Sequence, residues 1–373
     1  AAKGHLEDAG LATSDPDLIA AIPESITGEI IRDPQGRYYG ACLAAFGLCW
    51  NVDRIAALAP ATPPTTWADL GAARFADAVS VADPSRSTAV LTAFERLVQE
   101  CQERAAIAAG RDGETATPDD LAAGWNQAQV IIRRIIANAR AITDGASKAV
   151  HDVARGDAAA AMAIDFNARA EAQWVLEHGG RERLVYAHAV GGTSVSADPI
   201  GLLTGAPNRA LAIDFIRFVL SRDGQRLWNQ RPGTPGGPTR WALRRLPVRT
   251  DAYDAQARAW MSDPDEDPYA LANTFRYREA WTKRTRSALG AWIRAACLDV
   301  QPELRAAMIA LRTSRNQTAA SEQLDAPTLT YADAAAYDAL PARERPAAQR
   351  AWTAAARVNY RAARTLAAER GIE

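Results

Sequence analysis

"VSVADPSRSTAVLTAFERL", residues 79–97, passes from a short apolar run through a polar turn into an amphipathic helix. Residues 79–82 read as a buried strand, and residues from about 86 to 108 as a helix. Asp83 and Pro84 suit the turn between them. Ser85, Arg86, Ser87 and Thr88 then crowd the point where the helix begins.

The same logic recurs downstream. Residues 140–143, "RAIT", form a strand that breaks at Asp144-Gly145 and restarts as a helix through "SKAVHDVARG". Residues 158–164, "AAAAMAI", form another, ending at Asp165 and passing into the helix "FNARAEAQWVLEHG". A strand at 184–190 leads into "GGTSVSADPIGLL", and helices fill 207–230. Upstream, "RYYGACLAAFGLCWNV" (37–52) is apolar and aromatic-rich, as buried strands are, and Thr66 with Asp69 marks a capped helix start in "PTTWADL".

Strands alternating with helices predict an α/β fold with a mostly parallel, helix-covered sheet. Ligands collect outside the carboxyl ends of such strands. Three junctions carry polar residues there: Ser85 to Thr88, Thr143 to Ser147, and Asp165 to Asn167.

Whole-chain properties narrow the function. The 373 residues suffice for two lobes, and a formal charge of -1 gives no sign of a nucleic-acid partner. No apolar run is long enough to span a bilayer. The four cysteines show no CxxC or zinc spacing, and the four histidines are scattered. Cys42 and Cys49 lie seven apart on one extended stretch and face opposite ways, so they do not pair there. There is no GxSxG, P-loop or GxGxxG. Beyond about residue 268 the pattern is helical, with Trp281, Trp292 and Leu298 at packing positions, interrupted near "RTSRNQTAASEQLDAPTLTYAD".

The order "GRYYGACLAAFGLCWNVDRI", "PTTWADL", "VSVADPSRSTA", "VARGDAAAAMAIDF" and "SADPIGLLTGAPNRALAIDFIRFVLSRDGQRLW" resembles the periplasmic solute-binding proteins of ABC importers. The likeness is to the type II group that includes ferric-iron, thiamine and phosphonate binders. It implies two α/β lobes joined by crossing strands near 37–50 and 190–203, with a solute held between them. The implied layout is residues 1–50 as the remainder of lobe 1 and the first crossing, 51–190 as lobe 2, and 191–267 as the return crossing and completion of lobe 1. Residues 268–373 form a helical C-terminal extension expected to pack on lobe 1. Family members begin with a strand, helix and strand of lobe 1, whereas this chain opens at what resembles a later helix. The expectation is therefore that the first part of lobe 1 is missing from this chain. The resemblance also implies an exported, periplasmic monomer that delivers a small-molecule or ion ligand to a membrane permease.

Each candidate has two readings. The amides at a helix start, with Ser85, Arg86, Ser87 and Thr88, make an anion cradle of the kind that holds a phosphate-like group in similar iron and phosphonate binders. The plainer reading is a helix cap facing water. The cradle is preferred because polar strand ends recur. In similar ferric-iron binders a tandem tyrosine pair supplies phenolate ligands where this chain has Asp165 and Phe166, which argues against tyrosinate iron binding. The Asp165 carboxylate is still a hard ligand for a metal such as ferric iron, or a partner for a cationic solute. It reads equally well as the cap of the next helix. Thr143, Asp144 and Ser147 divide the same way. Of Tyr38 and Tyr39, one faces the solute and the other the core, and Tyr39 is the choice for the solute. Asp198 offers a carboxylate on the return crossing. Trp125 and Trp174 read as helix-packing residues. Two other functions remain open: an enzyme using Asp144 and Asp165 as a carboxylate pair, and a scaffold using the helical tail.

Overall fold

The structure is a computed structural model that describes residues 4–273, 275–314 and 317–369. The chain divides into two compact units, residues 1–45 with 193–277 and residues 46–192 with 278–373. The chain passes between them within one long strand, then after Gly192, then after Tyr277.

The first unit carries short strands β1 (Leu6–Glu7), β2 (Ser25–Ile26) and β3 (Glu29–Ile30), then the opening half of β4 (Tyr39–Asn51). Residues Tyr39 to Ala45 of β4 pair antiparallel with a later strand of the same unit, Val195–Ile200. Its core gathers Leu11, Ile22, Ile31, Tyr39, Leu43, Val248 and Met261. β4 is buried almost throughout, which explains why its sequence reads as continuous apolar residues rather than alternating ones.

The second unit is a covered sheet. Its strands are β5 (Val79–Ala82), β6 (Ala139–Thr143), β7 (Ala160–Ile164) and β8 (Leu184–His188), in the order β6-β5-β7-β4-β8. β5 runs parallel to β6 and β7, while β4 is antiparallel to both β7 and β8. The sheet is thus parallel apart from one reversed strand, the one that enters from the other unit. The remaining strands, β9 (Val195–Ile200) and β10 (Leu202–Leu203), belong to the first unit.

Helix boundaries follow local chemistry. The helix Pro118–Asn138 starts with Pro at its first turn and a reciprocal cap between Thr117 and Asp120. It crosses the helix Thr88–Ala108 at Gly124, where an added Cβ would lie 2.3 Å from the Gln102 backbone. Only glycine permits that approach. The Thr66 and Asp69 capping box also forms, opening a 3-10 turn at Trp67–Gly71.

From Arg278 onward the helical tail is part of the second unit, whereas the sequence reading expects it on lobe 1; residues 268–277 belong to the first unit. Trp292, Leu304, Met308, Trp352 and Tyr360 share one core with Phe94, Trp125, Ile132 and Ile136. Amphipathic periodicity shows that a helix buries one face; it does not show against what. The contacts here are specific: Arg133 donates to the carbonyls of Asp325 (3.1 Å) and Ala326 (3.0 Å), and its guanidinium lies 5.4 Å from the Trp292 ring centroid. Trp125 Nε1 donates to Leu329 O at 2.8 Å. Part of the stretch that interrupts the helical pattern in the sequence is itself helical, at Gln317–Asp325. Trp174 departs from its expected packing role: it is largely exposed and stacks on His178. All four cysteines are buried. Among the described residues, no helix is long and apolar enough to cross a membrane.

Candidate functional site

The carboxyl ends of β5 and β6 lie side by side, with Ala82 opposite Thr143. Asp83 N donates to Thr143 O at 2.8 Å and ties the two junctions together. β5 also pairs in parallel with β7, Val79 opposite Ala160 and Ser80 opposite Ala161, so the carboxyl ends of all three strands point to the same end of the sheet.

Asp83, buried and read from the sequence only as a turn residue, organises the first turn. Its Oδ1 accepts from Ser85 N at 2.9 Å and Ser85 Oγ at 2.7 Å, while its carbonyl accepts from the amides of Arg86 and Ser87. Ser87 is the N-cap of the helix Thr88–Ala108, its Oγ accepting from Val90 N at 3.4 Å. The Ser85 proton is therefore used within the turn and the Ser87 oxygen caps the helix, while accepting that bond does not use the Ser87 proton. What faces outward is the exposed Arg86, the exposed Thr88, and the amides of Thr88 and Ala89, which a first helical turn leaves without intrahelical acceptors.

The second junction is similar. Thr143 Oγ1 donates to Gly145 O at 3.0 Å, so its hydroxyl serves its own turn. Asp144 pairs with Lys148 at 2.6 Å, and its carboxyl is held below the usual range first by that hydrogen bond and also by the nearby charge of Arg86. Ser147 is exposed in the first turn of the helix Ala146–Arg155. The two helices begin at these neighbouring strand ends, the first packing in the core of Phe94 and Leu97 and the second in that of Ala149 and Val153, and the charge of Arg86 reaches Asp144. Partial positive charge and donors at this rim of strand ends suit an anion.

Asp165 departs from the metal-ligand reading. Its side chain is fully buried; Oδ1 accepts from Phe166 N at 2.7 Å and Oδ2 from Arg169 Nη2 at 2.8 Å. A carboxylate held in this way is neutralised within its own helix, Asp165–Gly179, whose first residue it is rather than its cap. The i,i+4 spacing to Arg169 was a readable signal of that pairing. Phe166 is half-buried beside it. Among the described residues, no group of three or more His, Cys, Asp or Glu side chains is placed to hold a metal ion.

Two candidates lie in the first unit. Tyr39 sits in its core, and burial raises the phenol pKa; this corrects the choice of Tyr39 as a residue facing solute. Asp198, on β9, forms an ion pair with Arg245.

A family model for bacterial extracellular solute-binding proteins matches residues 1–247, and the chain belongs to that family. No curated protein matches it by sequence. Among solved structures, it is similar to the periplasmic binding protein AfuA from Actinobacillus pleuropneumoniae with fructose-6-phosphate bound. That likeness has a TM-score of 0.54 at 18% identity and covers 79% of this chain and 77% of that one. It is also similar to iron-bound HitA from Pseudomonas aeruginosa, with a TM-score of 0.51 at 14% identity over 78% of this chain and 76% of that one. At these identities the likeness is one of fold: the α/β fold of type II periplasmic binding proteins, here with a helical C-terminal region.

Proposed function

We propose that this protein is the periplasmic capture component of an ABC import system, that it handles a small solute bearing a phosphate-like or other anionic group, and that it passes the solute to a membrane permease without chemical change. The observation that carries the anionic reading is this rim of strand ends in the second unit. There Arg86, Thr88, Ser147 and two first helical turns offer donors at neighbouring strand ends, while Asp144 is paired with Lys148. Family membership supports capture rather than catalysis. The ion pair of the buried Asp165 with Arg169 supports a structural role for that carboxylate over a catalytic one.

Similar folds bind a sugar phosphate in AfuA and iron in HitA, so the solute class must be tested directly. Titration calorimetry with inorganic phosphate, fructose-6-phosphate, ferric citrate and spermidine separates the possibilities. Binding of a phosphate-bearing probe supports the reading. Binding of spermidine alone, or of ferric ion with no dependence on an anion, contradicts it.

A further inference from the structure

The turn that precedes the proposed anion rim is held from outside. Asp83 is buried, and while its Oδ1 shapes the turn through Ser85, its Oδ2 accepts from Arg294 Nη1 at 2.6 Å. Arg294 lies 211 residues away in sequence, in the helical tail beyond the region matched by the family model. Its own Nε is fixed by Asp299 Oδ1 at 2.7 Å, and it opens a π-helical turn, Arg294–Leu298. Such turns are local distortions that re-aim side chains. The helix before it, Arg286–Ile293, lies close to the same element. A Cβ added at Gly290 would lie 3.4 Å from Leu91 and 3.9 Å from the Pro84 carbonyl, and Arg286 Nη2 donates to Thr92 Oγ1 at 2.7 Å.

These contacts give Arg294 two effects on the rim. It fixes the Asp83 carboxylate in the orientation that holds Ser85 and, through the backbone, Arg86 and Ser87. It also neutralises a buried negative charge directly behind a site meant for an anion.

We propose that Arg294 is a positioning residue for the anion-binding turn, so that the C-terminal helices set the affinity of a site to which they contribute no ligand contact. This rests on the anion reading above. Arg294→Gln removes the charge, Arg294→Lys retains it, and Arg305→Gln is a control. Arg305 is a tail arginine that reaches Asp77 (2.8 Å) and the Ala139 carbonyl (3.0 Å), at the opposite end of β5 and β6.

Two measurements are made on the full chain. Amide hydrogen exchange at residues 85–89 needs no ligand: it is expected to accelerate about tenfold in Arg294→Gln and to return toward wild type in Arg294→Lys. Calorimetry with inorganic phosphate is expected to show about tenfold weaker binding in Arg294→Gln, partial rescue in Arg294→Lys and no change in Arg305→Gln. If exchange changes but the wild type binds no phosphate, the anion reading fails while the positioning of the turn stands. Unchanged exchange and affinity in a folded Arg294→Gln protein overturns the proposal. Equal losses in Arg294→Gln and Arg305→Gln also overturn it, because the tail would then act only through general stability.

Discussion

Arg169 Nη2 donates to Asp165 Oδ2 at 2.8 Å, four residues along the same helix, with both side chains buried. Breaking such a pair leaves a buried charge exposed to a low dielectric, at a cost of ~3–5 kcal/mol. Asp165→Ala is therefore expected to lower stability by an amount in that range in urea denaturation. Replacing both residues with apolar ones should recover much of the loss. A ligand role for Asp165 would show the opposite pattern, with little change in stability and lost binding.

Tyr39 offers a contrasting case. Its hydroxyl is buried and has no hydrogen-bond partner among the described residues. Tyr39→Phe removes an unsatisfied polar group without opening a cavity. The expected result is stability that is unchanged or higher by about 1 kcal/mol, with solute affinity unaffected. A fall in affinity would return Tyr39 to the site.

Glu100 sets a pH dependence. Burial pushes its carboxyl up to about 7, partly opposed by Arg104 at 3.4 Å. It lies against Gly192, the last residue of the second unit before the chain crosses back, where an added Cβ would come within 2.6 Å of Oε2. The folded protein binds the Glu100 proton more tightly than the unfolded chain does. Its contribution is therefore present in full below pH 4.5, the ordinary value, and is lost as pH rises through about 7. Thermal unfolding followed from pH 4.5 to 8 should show this decline, and Glu100→Gln should flatten it. An unchanged slope in the variant would assign the dependence to other groups.

What the sequence made legible was local. The β5 strand, its turn and its helix follow from adjacent residues, as do the Thr66 and Asp69 cap and the break at Gly145. The Asp83 turn was half legible: Asp-Pro-Ser signals an Asx turn, but that Ser85 bonds the Asp83 carboxylate and Ser87 caps the helix is seen only in the geometry. Asp165 and Arg169 had the right spacing to be read as a pair, yet the strand-end position drew attention to the carboxylate alone. The tail was not legible in the same sense. Its burial against Trp125 and Ile132, and the reach of Arg294 to Asp83, join residues whose sequence separation carries no periodic signal.

In the proposed function, Arg86, Thr88 and Ser147 hold the negative end of a solute. The most direct measurement is calorimetric titration of phosphate-bearing probes into the wild type and into the Arg86→Gln/Thr88→Ala protein, with thermal unfolding confirming that both are folded. Loss of a charge-assisted hydrogen bond is worth ~1.5–3 kcal/mol, so affinity should fall about ten- to hundredfold. Equal affinity in the two folded proteins would contradict the account.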